Sequence, residues 1–334
     1  MNIEERRADK ISIIVPCYNE EACIEIVYAE TAAAMEALTE KEQVSYEIIF
    51  VDDGSSDGTL TQLEALYRSQ ACPVSVVSFS RNFGKEAGLY AGLRHAKGAY
   101  ISLIDADLQQ RPELVRQMVE ILDTQPEYDI VAAYQDKRGD GKVLSFFKEG
   151  FYSLIKLAAL PESFEQRLRA LRPDASDFRT FRRKVAESIL ALPEYHRFSK
   201  GIFAWVGYDT CFIPYTACER AAGTTKWSFK KLFRYAIDGI IGFSTAPLRA
   251  ATYLGLTAAI SSLLYLLIVI LQKLIWGIAV PGYATIIVLI LLLGGLQLFC
   301  LGLIGEYIGK IFEQSKHRPV YLEKEVLLHE ESTL

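Results

Sequence analysis

Two aspartates one residue apart, Asp105 and Asp107, follow the apolar run "YISLI" and open the turn "DADLQQRPEL". Ile101, Leu103 and Ile104 suit the interior of a sheet, so the carboxylates stand at the mouth of a buried strand. There they repel each other and resist desolvation. A divalent cation removes both penalties. Hard ions such as Mg2+ or Mn2+ take carboxylate, water and phosphate oxygens, and can neutralise a departing nucleotide diphosphate. In Asp105-Ala106-Asp107 the metal-ligating candidates are Asp105 and Asp107, with Gln109 adding a neutral oxygen and Pro112 starting the next helix. Helix capping explains two aspartates equally well, and so short a pattern is common by chance. Its weight comes from the elements around it.

Residues 11–133 alternate two kinds of signal. Apolar, β-rich runs occur at 11–15, 46–51, 74–79, 99–104 and 128–133, and helical segments at 20–39, 57–70, 85–97 and 112–124. This pattern predicts an α/β fold, a mostly parallel sheet with helices on both faces, whose ligands bind beyond the carboxyl ends of the strands. Four polar loops fall at those ends: "PCYNEE", "DDGSSDG", "SRNFGKE" and "DADLQQ". Asn19 reads as an N-cap with Glu20 and Glu21 in the first turn, and Asp57 caps the next helix. Carboxylates such as Glu20 and Asp53 can also accept from a nucleotide's base and ribose, and Lys85 after Gly84 can meet phosphate. The G-x-G-x-x-G fingerprint is absent, which disfavours NAD or FAD, and Gly84-Lys85 is followed by Glu86, which excludes a G-K-[ST] phosphate loop.

The 334 residues suffice for one large domain and an appendage, and 51% of them are hydrophobic. That excess is concentrated. Residues 250–272 carry no charge, and 274–305 carry none either. Each stretch exceeds the roughly 20 residues needed to cross a ~30 Å hydrocarbon core. Pro281 and Gly282 break the pattern between them, so a transmembrane hairpin is expected. Lys226, Lys230, Lys231, Arg234 and Arg249 precede it and Lys310, Lys316 and Arg318 follow it, against Lys273 alone at the intervening loop. The asymmetry places both flanks on the cytoplasmic side of the plasma (inner) membrane, and "MNIEERRADK" lacks the long apolar region of a secretory signal. Six scattered cysteines fit reduced thiols, four dispersed histidines give zinc no support, and a net charge of −5 argues against nucleic acid.

Two further segments have amphipathic spacing. In 228–243, Phe229, Leu232, Phe233, Ala236, Ile237, Ile240 and Ile241 form one stripe, with Lys230, Lys231, Arg234 and Asp238 off it. Beside a hairpin, this reads as a helix lying in the bilayer interface. Residues 142–158 fit core packing or the interface equally. The expected layout is a large cytoplasmic domain (1–227), an interfacial helix (228–248), two transmembrane helices (249–312) and a cytoplasmic tail (313–334). Gly305 and Gly309 form a small-x-x-x-small step compatible with a homo-oligomer.

"VPCYNEE", "YEIIFVDDGSSDGT", "SRNFGKEAGLYAGL", "DADLQ" and "SDFRTFRRKV" resemble the family-2 inverting glycosyltransferases of the GT-A type. "FAWVGY", "ERAAGTTKWSFKKL", "FSTAPLRAATYLG" and "LGLIGEYIGKI" resemble, more narrowly, the bactoprenol glucosyltransferases, relatives of dolichol-phosphate mannose synthase with a two-helix membrane anchor. The similarity runs from about Ile11 to Pro319, and the ordered set of motifs is highly specific.

The resemblance implies transfer of a hexose, glucose from UDP-glucose, to a polyprenyl phosphate such as undecaprenyl phosphate. It implies that Pro16, Tyr18, Glu20, Val51 and Asp53 hold the nucleotide and that Asp105, Ala106, Asp107 and Gln109 manage metal and diphosphate. Arg220 and Lys226 match a basic motif that closes over phosphate, and Asp177 matches a position near the reacting centre, as base or orienting group. Two departures stand out. "DLQQRPE" replaces the usual "DLQDPPE", placing Arg111 beside the metal site, and Gln135 stands where relatives often carry arginine, leaving Lys137 or Arg138 to substitute. Mannose or an amino sugar are alternative cargoes. A processive polysaccharide synthase would carry a Q-x-x-R-W element, absent here, and a non-catalytic scaffold would not need Asp105, Asp107 and Lys226 intact.

Overall fold

A computed structural model describes residues 10–42, 44–69, 73–135, 175–216, 241, 245–276 and 282–329. The first half alternates as the sequence predicts: β1 (Lys10–Cys17), α1 (Ile24–Glu42), β2 (Ser45–Asp52), α2 (Thr59–Ser69), β3 (Val74–Phe79), α3 (Lys85–His95), β4 (Tyr100–Leu103), α4 (Leu114–Thr124) and β5 (Ile130–Gln135). Then come β6 (Ala175–Arg182), α5 (Arg183–Leu190), α6 (Ser199–Val206), β7 (Thr210–Tyr215), α7 (Ala246–Trp276), α8 (Tyr283–Ser315) and β8 (Glu323–Leu327). The expected helix at 142–158, nearly all of the interfacial helix at 228–248, Arg138, Lys137, Arg220 and Lys226 lie outside the described residues.

The eight strands form one sheet in the order β7-β5-β6-β4-β1-β2-β3-β8. β1 pairs in parallel with β2 and β4, and β2 with β3. β6 runs antiparallel between β4 and β5, and β8 antiparallel along β3. Successive residues of the inner strands face opposite layers. Ile13, Val15, Ile48 and Phe50 pack with Val27, Met35, Leu63, Met118 and Val119 from α1, α2 and α4. Ile14, Ile49 and Val51 pack with Leu89, Leu93, Val185 and Ile202 from α3, α5 and α6. Strands covered on both sides bury both faces, which is why the runs are mostly apolar and not alternating, and the buried serines among them, Ser12, Ser75 and Ser102, are hydrogen-bonded. Each fully buried aliphatic chain contributes about 2 kcal/mol.

The segment expected as a tail is in part the eighth strand. Val76 pairs with Leu327 and Val77 with Val326. Tyr321 stacks on Phe79 with ring centroids 4.7 Å apart, Ser80 N–H donates to Leu322 O at 3.0 Å, and His95 meets Glu323 at 3.1 Å. β3 would otherwise present an unpaired edge, and β8 covers it.

α7 and α8 carry the excess hydrophobicity. Within them, Pro247–Ile275 (29 residues) and Leu292–Ser315 (24 residues) are long and apolar enough to cross a membrane. Their large side chains are exposed, Leu274 at 77% and Leu298 at 72%, so they need a non-aqueous neighbour. The foot of α8 grips the large domain. Tyr195 N–H donates to Gln314 Oε1 at 2.8 Å, Gln314 Nε2 donates to Pro193 O at 2.7 Å, and His196 meets Glu313.

Candidate active site

The polar loops gather at the carboxyl ends of the strands. β1 lies between β2 and β4, so "PCYNEE" is flanked by "DDGSSDG" on one side and "DADLQQ" on the other. The first two loops are knitted together. Asn19 N–H donates to Ser55 Oγ at 2.9 Å and Ser56 N–H to Asn19 Oδ1 at 2.8 Å. Gly58 N–H donates to Glu21 Oε2 at 3.0 Å, and Glu20 N–H to Thr59 Oγ1 at 2.9 Å. Asn19, with φ 52°, is therefore a bridge between loops and not the N-cap expected: α1 begins only at Ile24. Asp57 behaves as expected of a cap, its Oδ1 accepting from Thr59 N–H at 3.1 Å.

Asp53 ties the second loop to the third. Its carboxylate accepts from Phe83 N–H at 2.6 Å and Gly84 N–H at 2.8 Å. Burial pushes its carboxyl up to about 6 despite those two donors, with the neighbouring Asp52 charge adding to the rise. The same junction requires Gly54: at φ 65° a Cβ would lie 2.4 Å from the Arg81 carbonyl carbon. Asp53 thus fixes the residue before Lys85, the first residue of α3.

Lys85 reaches across to two carboxylates from different strand ends. Its Nζ lies 2.6 Å from Asp105 Oδ1 and 2.8 Å from Asp177 Oδ2. The pairing of β4 with β6 explains the meeting. Leu103 is opposite Arg179, so continuing the antiparallel register by two residues sets Asp105 across from Asp177. Burial alone would push the Lys85 ammonium down, but Asp105 and Asp177 outweigh it and hold the ammonium above its ordinary range. Burial would likewise raise the Asp177 carboxyl, yet Lys85, then Lys200 and Arg179, hold it well below the usual carboxylate range. Arg179 is itself fixed, its guanidinium 4.0 Å over the Phe203 ring and donating to Ser176 O and Asp177 O.

The turn after Asp105 is strained. Leu108 has φ 51°, a left-handed conformation that disfavours a side chain by about 1–2 kcal/mol. This bend lets Gln109 N–H donate to Asp107 Oδ1 at 3.2 Å. Among the described residues, no group of three or more His, Cys, Asp and Glu assembles as a metal cluster. The hard oxygens of Asp105 and Asp107 fit a divalent ion whose remaining ligands would come from water and phosphate, and Asp105 already accepts a cation, the Lys85 ammonium.

The other expected residues take graded positions. Tyr18 is 39% exposed at the rim, and Pro16 pairs with Val51 between β1 and β2. Val51 and Ala106 turn their side chains into the two opposite cores, so they shape the floor. Three residues were not legible as site components. Glu86 accepts from Ser199 N–H at 3.0 Å and from its hydroxyl, anchoring the start of α6 beside Lys85, and Lys200 follows at once. Burial pushes the Glu86 carboxyl up against these donors. The only sequence hint was the polar "KE" after Gly84 and "SK" before an apolar helix.

Comparison with known proteins places the chain in a family. Residues 12–190 match the Glycosyl transferase family 2 model, and residues 246–311 match the GtrB C-terminal hairpin. An uncharacterised glycosyltransferase of Synechocystis is 42% identical over 316 residues, spanning 94% of each chain. The bactoprenol glucosyl transferase of Shigella phage SfV is 40% identical over 315 residues, 94% of this chain and 98% of its own. A prophage bactoprenol glucosyl transferase homolog of Escherichia coli is 40% identical over 317 residues, 95% of this chain and 99% of its own.

Proposed function

Because this chain belongs to glycosyl transferase family 2 and is a glycosyltransferase, we propose that it moves glucose from UDP-glucose to a polyprenyl phosphate at a membrane surface. The observation that carries the reading is the cluster of Lys85, Asp105 and Asp177 at the carboxyl ends of the strands, in a chain that also bears an exposed apolar hairpin. The relatives' shared length, hairpin included, supports a lipid-linked acceptor, and the name bactoprenol glucosyl transferase supports glucose and that lipid.

In this reading Tyr18, Glu20 and Asp53 line the nucleotide side, with Pro16, Val51 and Ala106 forming its floor. Asp105 and Asp107, helped by Gln109, would hold Mg2+ or Mn2+, which would offset the charge of the departing diphosphate. Arg220 and Lys226 serve as the basic clamp over phosphate. A lipid-phosphate oxygen forms a bond to the anomeric carbon as the bond from that carbon to the nucleoside diphosphate breaks, and configuration inverts. A phosphate with its second pKa near ~6 is largely dianionic at neutral pH, so no proton has to be taken from it. Asp177 is correspondingly a poor base, held ionised by Lys85, and its work is to orient that ammonium. The large domain and both ends of the hairpin lie on the cytoplasmic side.

The test is to incubate the purified full chain with Mg2+, undecaprenyl phosphate and, separately, UDP-glucose, GDP-mannose and UDP-N-acetylglucosamine. Glucosylated lipid is expected from the first donor. Product from another donor alone would overturn the assignment of glucose, and no lipid product from any donor would overturn the acceptor.

A further inference from the structure

Asp105 faces two cations for one place. In the reading above it ligates a divalent ion, yet its Oδ1 lies 2.6 Å from the Lys85 ammonium. An oxygen engaged at that distance cannot also sit against a dication without bringing two positive charges into contact. The ammonium is not passively placed. It begins α3 directly after Gly84, whose N–H is fixed by Asp53, and its second partner, Asp177, arrives from β6 on the far side. Both carboxylates and the lysine remain partly open, at 27%, 29% and 39% exposure, so the contact can be exchanged from solvent.

We propose that Lys85 is a tethered stand-in for the metal ion, occupying the cation's seat until a nucleoside diphosphate arrives. The exchange leaves Asp105, Asp177 and Lys85 each beside an opposite charge. As the divalent ion takes Asp105 and Asp107, the ammonium turns on its four-carbon stem toward the diphosphate oxygens, keeping Asp177 as its other partner. One ammonium thus offsets part of the charge of Asp105 and Asp177 before the donor binds, and the metal is favoured together with its diphosphate. Lys85 is a positioning residue in this scheme, coupling two ligands through one salt bridge. The inference rests on Asp105 and Asp107 being the metal's ligands.

The experiment reads metal binding directly, by the electron paramagnetic resonance signal of free Mn2+ over the full chain in mild detergent. Without nucleotide, Lys85→Met should bind Mn2+ about ten-fold more tightly than the unaltered chain, within the usual range of such couplings, while Lys85→Arg should not. Added UDP should shrink the difference between the Met variant and the unaltered chain. Equal Mn2+ affinity in both without nucleotide, with UDP-dependent binding intact, overturns the exchange and leaves the metal site standing. No Mn2+ binding in any form, with or without UDP, overturns both. If Lys85→Met does not fold, as judged by circular dichroism, the unaltered chain decides. Saturating Mn2+ alone should then speed reductive methylation of Lys85, whose amine has lost a carboxylate partner, and an unchanged rate overturns the proposal.

Discussion

Asp107 differs from Asp105 in a way that makes it the cleaner target. Asp105 also supports Lys85, whereas Asp107 accepts from the Gln109 backbone N–H in its own turn. Asp107→Asn keeps that acceptor and removes one charge, so transfer should fall by at least about 100-fold with folding and membrane retention unchanged. Near-normal turnover with metal still required would remove Asp107 from the ligand set. Asp53 makes a prediction about pH. Its carboxyl is raised from 3.8 to about 6 in the folded chain, so the fold binds this proton more tightly than the unfolded chain does. The stability it contributes is present below 3.8 and is lost as pH rises through about 6. Asp53→Asn removes the titration and keeps an acceptor for Phe83 N–H, but sets an amide NH2 where Oδ2 accepts from Gly84 N–H, so it starts from lower stability. Its thermal midpoint should gain on the unaltered chain across that interval, by an amount equivalent to about 3 kcal/mol, and then stay at a constant offset. Parallel curves from acid to neutral pH would refute the raised carboxyl.

At the scale of elements, β8 invites the simplest perturbation. Tyr321 is 6% exposed and stacks on Phe79. Tyr321→Ala should destabilise the large domain by about 3 kcal/mol, measured as a lower thermal midpoint in detergent. No change would mean that the strand adds nothing to the sheet's stability. This strand also marks where the sequence stops being readable. β1 to β4 and α1 to α4 follow from apolar runs bounded by turn residues, because a doubly covered parallel sheet writes itself as local hydrophobic blocks. "EKEVL" has no such block, since an edge strand buries one side only. The site divides the same way. Asp105, Asp107 and Asp53 were visible from loop position, but the contact of Lys85 with Asp177 joins residues 92 apart and depends on β6 running antiparallel to β4. Glu86 and Ser199, 113 residues apart, were invisible for the same reason. Asn19 shows the converse failure: its type suits an N-cap, and a neighbouring loop claimed its oxygen instead.

For the whole molecule, the hairpin sets orientation. The basic residues flanking α7 and α8 predict that their connection lies across the membrane from the large domain. A cysteine at Gly277, in a chain freed of reactive native thiols, should be labelled by an impermeant maleimide applied to intact cells. Labelling only after lysis would overturn the hairpin's orientation. Beyond the hairpin the chain is held twice, by Gln314 on the α5–α6 loop and by β8 on β3.

That second attachment has a consequence for the order in which the protein is made. A ribosome delivers the chain from its N-terminus, and soluble domains usually finish folding as they emerge. Here the eighth strand of the sheet is encoded after both apolar helices. β3 therefore keeps an open edge throughout synthesis of the hairpin, and closes only after β8 has emerged. Completion of the sugar-transferring domain is postponed until its anchor already exists, so a chain whose synthesis stops early leaves the ribosome with an unfinished sheet.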